Sequence, residues 1–279
     1  MASLNIVATP IGNLDDTTFR ALEVLKSADV IACEDTRVSG ALLSHFQIKK
    51  EAPPLSIHHH SSERAFQRVL GILQEGKSVA YITDAGTPGV NDPGGKLVEY
   101  ILMHAPEVSI VPIPGANAAM TLASVAGIPM DQYVMMGFPP HKKGRRSYFE
   151  AVLASDIPVI FYESTHRIIK SLEELQRLLS VSETRWCIVG RELTKRHETI
   201  LRGTIQEVLT TLRSGETRGE FVVIVSRWRP KHHTSELSES SQSSKSSESS
   251  KSSESSESSE SSESSKSSES RLAVETPIA

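Results

Sequence analysis

Ser78-Val79-Ala80-Tyr81-Ile82-Thr83-Asp84-Ala85-Gly86-Thr87-Pro88-Gly89-Val90-Asn91-Asp92-Pro93-Gly94-Gly95 holds a strand, a turn-rich loop and the start of a helix. The run Ser78–Thr83 is as uniformly apolar as a strand covered on both faces must be. The next twelve residues carry two prolines, four glycines and two aspartates. That composition describes a rigid loop with its backbone bare to a ligand, not a flexible linker. A helix is expected over Gly95–His104. Strand, loop and helix in this order form the unit of an α/β sheet, which binds ligands at the carboxyl ends of its strands.

The same alternation extends in both directions. Further strands are expected at Leu4–Ala8, Val30–Cys33, Val108–Ile113, Tyr133–Met136, Pro158–Tyr162, Trp186–Val189 and Phe221–Ser226. Helices are expected at Thr17–Ser27, Ser62–Gln74, Asn117–Val125, Arg145–Leu153, Arg167–Leu179 and Ile205–Leu212. The pattern predicts an α/β architecture with largely parallel pairing. A break at Ala126-Gly127-Ile128-Pro129 divides it into two α/β domains, residues 1–126 and 127–233.

From Thr234 the chain changes in kind, repeating Ser-Ser-Glu and Ser-Ser-Lys units with nothing apolar to bury, so residues 234–279 are expected to be a disordered tail. The chain carries 30 basic and 34 acidic residues; the tail holds four of the former and nine of the latter, leaving a body of 26 and 25. A nucleic-acid partner is therefore not announced by net charge, and any basic surface must be local. The two cysteines, Cys33 and Cys187, sit in apolar runs and read as buried, reduced thiols. No apolar stretch approaches the roughly 20 residues that cross a bilayer. The start, Met1-Ala2-Ser3-Leu4-Asn5, lacks a charged leader region. A cytoplasmic protein without membrane contact is expected.

Several chemistries lose ground. The body has no G-x-G, no phosphate-binding loop around Gly94-Gly95-Lys96, and no C-x-x-C, H-E-x-x-H or G-x-S-x-G. His58-His59-His60 lacks a carboxylate or cysteine at ligand spacing and reads as an ordinary polar segment, so no metal is expected.

Three more loops follow expected strands in the first half. Ala8-Thr9-Pro10-Ile11-Gly12-Asn13-Leu14 is either a ligand loop or a plain turn. Glu34-Asp35-Thr36-Arg37 offers either an acid/base pair or a helix N-cap with a neighbouring ion partner. Pro112-Ile113-Pro114-Gly115-Ala116-Asn117 has small residues that admit a planar ligand or, equally, allow close helix–sheet packing. In the second half, Phe161-Tyr162-Glu163-Ser164-Thr165-His166-Arg167 and Gly190-Arg191-Glu192-Leu193-Thr194-Lys195 end strands with polar groups. The block His141-Lys142-Lys143-Gly144-Arg145-Arg146, flanked by Phe138 and Tyr148, suits a phosphate backbone with unstacked bases, or is a solvated loop.

Six strings taken together, Thr-Pro-Ile-Gly-Asn-Leu, Glu-Asp-Thr-Arg, Asp-Ala-Gly-Thr-Pro with Asn-Asp-Pro-Gly, Phe-Tyr-Glu-Ser-Thr-His-Arg, Arg-Glu-Leu-Thr-Lys and Gly-Glu-Phe, occur here in that order. In them the chain resembles the RsmI family, the 16S rRNA (cytidine-2′-O)-methyltransferases of the tetrapyrrole-methylase fold class, over about residues 4–227. The resemblance implies two α/β domains of that type with S-adenosylmethionine in the cleft between them, a homodimer, and a cytidine of 16S rRNA in the 30S subunit as substrate. By position it places cofactor contacts on Pro10, on Asp84, Ala85, Gly86, Thr87 and Pro88, on Gly115, Ala116, Asn117 and Ala118, and on Tyr162 and Glu163. The family often has a histidine after Glu-Asp-Thr-Arg, where this chain has Val38, and the Ser-rich tail has no counterpart.

Methyl transfer from a sulfonium is an in-line displacement, and a ribose hydroxyl needs a base to draw off its proton. Glu34 or Asp35 is the expected base, with Glu163 the alternative, acting as base or as a carboxylate facing the sulfonium. Contacts to RNA are expected from Arg37, Lys142, Lys143, Arg145, Arg146, His166, Arg167, Arg191 and Lys195. A methylase of small tetrapyrroles would not need the basic block. A non-catalytic RNA-binding module would not need the rigid Asp84–Gly95 loop.

Overall fold

The computed structural model describes residues 2–58 and 63–230. They belong to one compact unit, Met1–His233. His59, His60, the expected helix start at Ser62 and the tail from Thr234 lie outside the described residues.

Strands β1 (Ser3–Val7), β2 (Val30–Cys33), β3 (Leu55–Ser56), β4 (Val79–Ile82) and β5 (Ser109–Ile113) form a five-stranded sheet in the order β3-β2-β4-β1-β5, parallel throughout. Helices α1 (Phe19–Ser27), α2 (Thr36–His45), α3 (Glu63–Gln74) and α4 (Gly94–His104) connect these strands, and α5 (Ala118–Ser124) follows β5. All four residues of β4 are buried. Val79 and Tyr81 pack against Val69, Leu73, Leu97 and Ile101 of α3 and α4. Ala80 and Ile82 face Leu25 and Leu43 of α1 and α2. Two apolar faces per strand explain why these segments read as unbroken hydrophobic runs. Parallel pairing also places the ends of β1, β2, β4 and β5 on one edge, where the four loops noted in the sequence converge.

The second sheet comprises β6 (Val134–Met135), β7 (Val159–Ser164), β8 (Trp186–Arg191), β9 (Thr199–Thr204) and β10 (Glu220–Ser226), in the order β6-β7-β10-β8-β9. Helices α6 (Arg145–Ala154), α7 (Ile168–Leu178) and α8 (Ile205–Ser214) cover one face, burying Phe149, Leu172, Leu175 and Leu209 against Phe161, Val189 and Val223. The opposite face, with Ile160, Ile188 and Ile224, packs on Ile11, Ala119 and Leu122 of the first half. The expectation of largely parallel pairing fails here. Only β6–β7 is parallel; β7–β10, β10–β8 and β8–β9 are antiparallel. The reason lies in connection length. A parallel crossover needs a dozen or more residues, and Glu192–Glu198 is too short to supply them between β8 and β9. Strands β3 and β9 and helix α2 are further elements that the sequence pattern does not predict.

Candidate active site

Short-range chemistry makes the converging loops rigid. Asp92 accepts hydrogen bonds from the main-chain N–H groups of Gly89 (2.9 Å), Val90 (3.0 Å) and Gly94 (2.7 Å), so one carboxylate holds the Asp84–Gly95 turn together. Thr9 and Gly86 exchange main-chain hydrogen bonds at 3.0 and 3.1 Å. The Thr87 hydroxyl donates to the Ala116 carbonyl at 3.0 Å. The loops after β1, β4 and β5 are thereby tied into one rim.

Two cavities open along this rim. The larger, about 610 Å³, lies between the first-sheet loops and the exposed ends of β7 and β10. Its walls include Glu34, Asp84, Ala85, Gly86, Thr87, Asn117, Ala118, Phe138, Tyr162, His166 and Leu193. The smaller, about 460 Å³, lies between the Thr9–Leu14 loop and α2, with Pro10, Gly12, Leu14, Val38, Ser39 and Leu42 in its walls. Ile11, Thr83, Asp84, Ala85, Lys195 and Glu220 border both. Phe138, more than half exposed, lies tilted against Tyr162 with ring centroids 5.4 Å apart, giving an aromatic wall at the mouth of the larger cavity.

The carboxylates of the site differ sharply. Asp35 caps α2: its Oδ1 accepts from Arg37 N at 2.8 Å, and its Oδ2 lies 2.7 Å from Arg37 Nη2. The Arg37 side chain and main chain together hold this carboxyl at about 2. Asp84 accepts one hydrogen bond, from Asp35 N at 3.1 Å. Desolvation first, and the negative charge of Asp35 as well, push the Asp84 carboxyl above its ordinary range. Glu163 is buried, and its oxygens take hydrogen bonds from Ser164 N and Ser171 Oγ and lie 2.8 Å from Arg167 Nε and 3.8 Å from Arg145 Nη1.

Over residues 3–209 the chain matches the family described as Tetrapyrrole (Corrin/Porphyrin) Methylases. It is 46% identical over 225 residues to ribosomal RNA small subunit methyltransferase I of Escherichia coli O157:H7, covering 80% of this chain and 77% of that relative. This chain belongs to the ribosomal RNA small subunit methyltransferase I family. The Bacillus subtilis (strain 168) member is 39% identical over 226 residues, 81% of this chain and 75% of its own. Among solved structures, uroporphyrin-III C-methyl transferase from Thermus thermophilus, complexed with S-adenyl homocysteine, aligns with a TM-score of 0.54 at 19% identity, covering 80% of this chain and 97% of that one. Cobalt precorrin-4 methyltransferase aligns with a TM-score of 0.57 at 21% identity, covering 81% and 95%. These two show the fold.

Within this methyltransferase fold, the larger cavity has the size and chemistry for an adenosyl cofactor. Clefts of about 300–1,000 Å³ hold such ligands. Phe138 and Tyr162 offer aromatic surface to a planar ring, Ala85 and Ala118 let it approach the main chain, and Glu34 and Asp92 supply negative charge for a cationic centre. Of the positions assigned to the cofactor from sequence, Asp84, Ala85, Gly86, Thr87, Asn117, Ala118, Tyr162 and Glu163 border this cavity. Pro10 borders the smaller one instead. Pro88, Gly115 and Ala116 are in the walls of neither; the Ala116 carbonyl ties down Thr87.

The structure shows what several of these side chains hold. Successive residues of β7 point to opposite faces. Tyr162 packs on the cavity side, whereas the Glu163 carboxylate meets Ser171 and Arg145 on the helix side. Both of its oxygens are engaged there, by Ser164 N and Arg167 on one side and by Ser171 on the other. Asp35, capping a helix and held by Arg37, is a weak base; the N-cap alternative is the one realised. Arg145 is bound to Glu174 (3.0 Å) and Ser171, and Arg167 to Glu163 and the Pro139 carbonyl. Arg191 donates to the Arg218 and His197 carbonyls. These three guanidinium groups hold protein rather than phosphate. Arg37 and Arg146 are exposed but paired, with Asp35 and Glu150. Lys142, Lys143 and His166 are exposed. Lys195 bridges Glu192 (3.0 Å) and Glu220 (2.9 Å).

Leu193, Asn91 and Val222 also border the larger cavity without having been assigned a role from sequence, and Phe138, read there as a flank of the basic block, does so too. Leu193 had a usable signal, since it lies inside the string Arg-Glu-Leu-Thr-Lys. Its neighbours Glu192 (φ 50°) and Thr194 (φ 66°) are both left-handed, a local strain that directs Leu193 into the site. Both cysteines are buried and free, and burial pushes the Cys187 thiol up to about 12. Among the described residues no His/Cys/Asp/Glu group suits a metal ion, and no helix is long and apolar enough to cross a membrane.

Proposed function

We propose that this chain transfers a methyl group from S-adenosylmethionine to the ribose 2′-hydroxyl of a cytidine in the decoding region of 16S rRNA, with the 30S subunit as its substrate. The observation that carries the reading is the 46% identity, over 80% of the chain, to a small-subunit rRNA methyltransferase. The cleft geometry is what such an enzyme needs. When bound, the cofactor supplies an electrophilic methyl group on sulfur. The rim tied by Thr9, Gly86, Thr87 and Asp92 would hold the cofactor in place, and Phe138 and Tyr162 would shield it from water. Lys142, Lys143 and His166, all exposed, are groups available for an RNA backbone.

Residues 1–126 and 127–233 act in this reading as two domains, working in the cytoplasm as a homodimer. Support for the dimer comes from exposed apolar side chains on and just after α5 and just before and within β6: Met120, Val125, Tyr133 and Val134, with Tyr133 Oη 3.5 Å from Met120 Sδ.

Tritium transfer from labelled S-adenosylmethionine into free 16S RNA, intact 30S subunits and a tetrapyrrole-containing extract tests the reading. Label in the 30S arm, located on a cytidine ribose, is the expected result. Label confined to the extract replaces it with a small-molecule methylase.

A further inference from the structure

The two cavities share a wall, and one side chain in that wall stands apart. Of the titratable groups bordering the smaller cavity, Lys195 and Glu220 are paired with each other at 2.9 Å. The third, Asp84, borders both cavities, has no ion pair within 4 Å among the described residues, and uses only Oδ1, toward Asp35 N. The smaller cavity is also built to receive something. Pro10, Leu14, Val38 and Leu42 give it apolar walls, with Leu14 and Val38 exposed at 36% and 45%. Ser39, 2% exposed, is part of the same wall, with its buried hydroxyl turned to the Cys33 thiol. An apolar slot with the Asp84 carboxylate on its edge suits a nucleoside turned out of its RNA stack.

We propose that the smaller cavity seats the target nucleoside and that Asp84, on the wall between the cavities, takes the proton from its attacking ribose hydroxyl. This rests on the methyl-transfer reading above and adds the acceptor's seat and the base. In the balanced step the hydroxyl oxygen forms the new bond to the methyl carbon, the electron pair of the broken methyl–sulfur bond stays on sulfur, and the proton passes to Asp84 Oδ2. In-line attack needs nucleophile and leaving group on opposite sides of the moving carbon, which two cavities meeting at one wall provide. The titratable groups that act on Asp84 or share a cavity lining with it are Glu34 and Asp35 at the end of β2, Arg37 on α2, Asp92 in its own loop, Glu163 and His166 at the end of β7, Lys195 after β8 and Glu220 on β10. Arg37 opposes the proton uptake and Asp35 favours it.

The test compares Asp84→Asn and Asp84→Ala with the unaltered protein by tritium transfer into 30S subunits, by calorimetry with S-adenosylhomocysteine and by thermal melting. The expected result is a kcat lower by about 10²–10⁴-fold in both variants, the range of a lost general base. Affinity for S-adenosylhomocysteine stays unchanged, which also shows that the variants fold. Added formate restores turnover to Asp84→Ala while leaving the unaltered protein unaffected. Undiminished turnover in either variant overturns the proposal, as does loss of turnover in step with S-adenosylhomocysteine affinity, which would make Asp84 a cofactor contact. Absence of label from the unaltered protein defeats the methyl-transfer reading itself, a result distinct from either of these.

Discussion

The Glu163 carboxylate lies 2.8 Å from the Arg167 guanidinium on the helix side of β7, one residue from Tyr162 yet across the sheet from the cleft. Its second oxygen serves Ser171 and faces Arg145. Replacing Glu163 by Gln leaves the largely buried Arg167 guanidinium without its counter-charge, while Arg145 keeps Glu174. Glu163→Gln should lose about 3–5 kcal/mol of stability, the cost of breaking a buried ion pair from one side, read from urea unfolding. The folded variant should keep its affinity for S-adenosylhomocysteine. Full stability with lost affinity would return this carboxylate to the cleft.

Phe138 is exposed and has one aromatic neighbour, Tyr162. Removing its ring should therefore affect the cleft rather than the core. Phe138→Ala is expected to weaken S-adenosylhomocysteine binding by up to about tenfold, the scale of one aromatic pair, with an unchanged melting temperature. Calorimetry and a melting curve on one sample check both parts.

Asp35 ties stability to pH. Its folded carboxyl titrates at about 2 against an ordinary 3.8, because Arg37 and the first turn of α2 favour the charged form. A depressed folded value means a contribution present above about pH 4 and lost as pH falls toward 2. Asp35→Asn keeps a capping side chain but removes the charge. The variant should melt below the parent at neutral pH, and the two melting temperatures should converge as the pH is lowered through that window. A constant gap down to about pH 2 would show that the charge contributes nothing.

Gly137 and Asn91 both adopt left-handed backbone, at φ 66° and 64°, and they meet across the cleft mouth. A Cβ on Gly137 would stand 2.5 Å from Asn91 Oδ1. Gly137→Ala combines a conformational penalty with this clash and should cost about 1–3 kcal/mol. It should also displace the neighbouring Phe138, so cofactor affinity should fall together with stability. A variant as stable and as tight-binding as the parent would show that the mouth tolerates a wider opening.

Sequence showed the loops better than it showed where their side chains point. β4 was readable because burial on both faces leaves Val79–Ile82 without a polar residue. β9 was not, because Thr199–Thr204 is a half-exposed edge strand carrying Arg202 and Gly203. α2 hid behind Ser39 and Gly40, poor helix residues in a ten-residue helix with two buried positions. The candidate site followed the same rule. The loop strings mark the rim, yet a shift of one residue along β7 reverses the face, and that separates Tyr162 from Glu163. Likewise, the basic block reads as phosphate-binding until Arg145 meets Glu174, 29 positions away and invisible to local pattern.

The order of strands in the second sheet bears on synthesis. β10, the last strand described, lies between β7 and β8 and pairs with both along nearly its whole length. The first sheet has all its strands by Ile113, so a nascent chain can close it while the remainder is still being translated. The second sheet has no centre until Ser226 has emerged, and until then β7 and β8 expose unpaired edges rich in Val, Ile and Phe. Ribosome stalling or truncation just before Glu220 should therefore yield an aggregation-prone species with one finished half, whereas release a few residues after Ser226 should not.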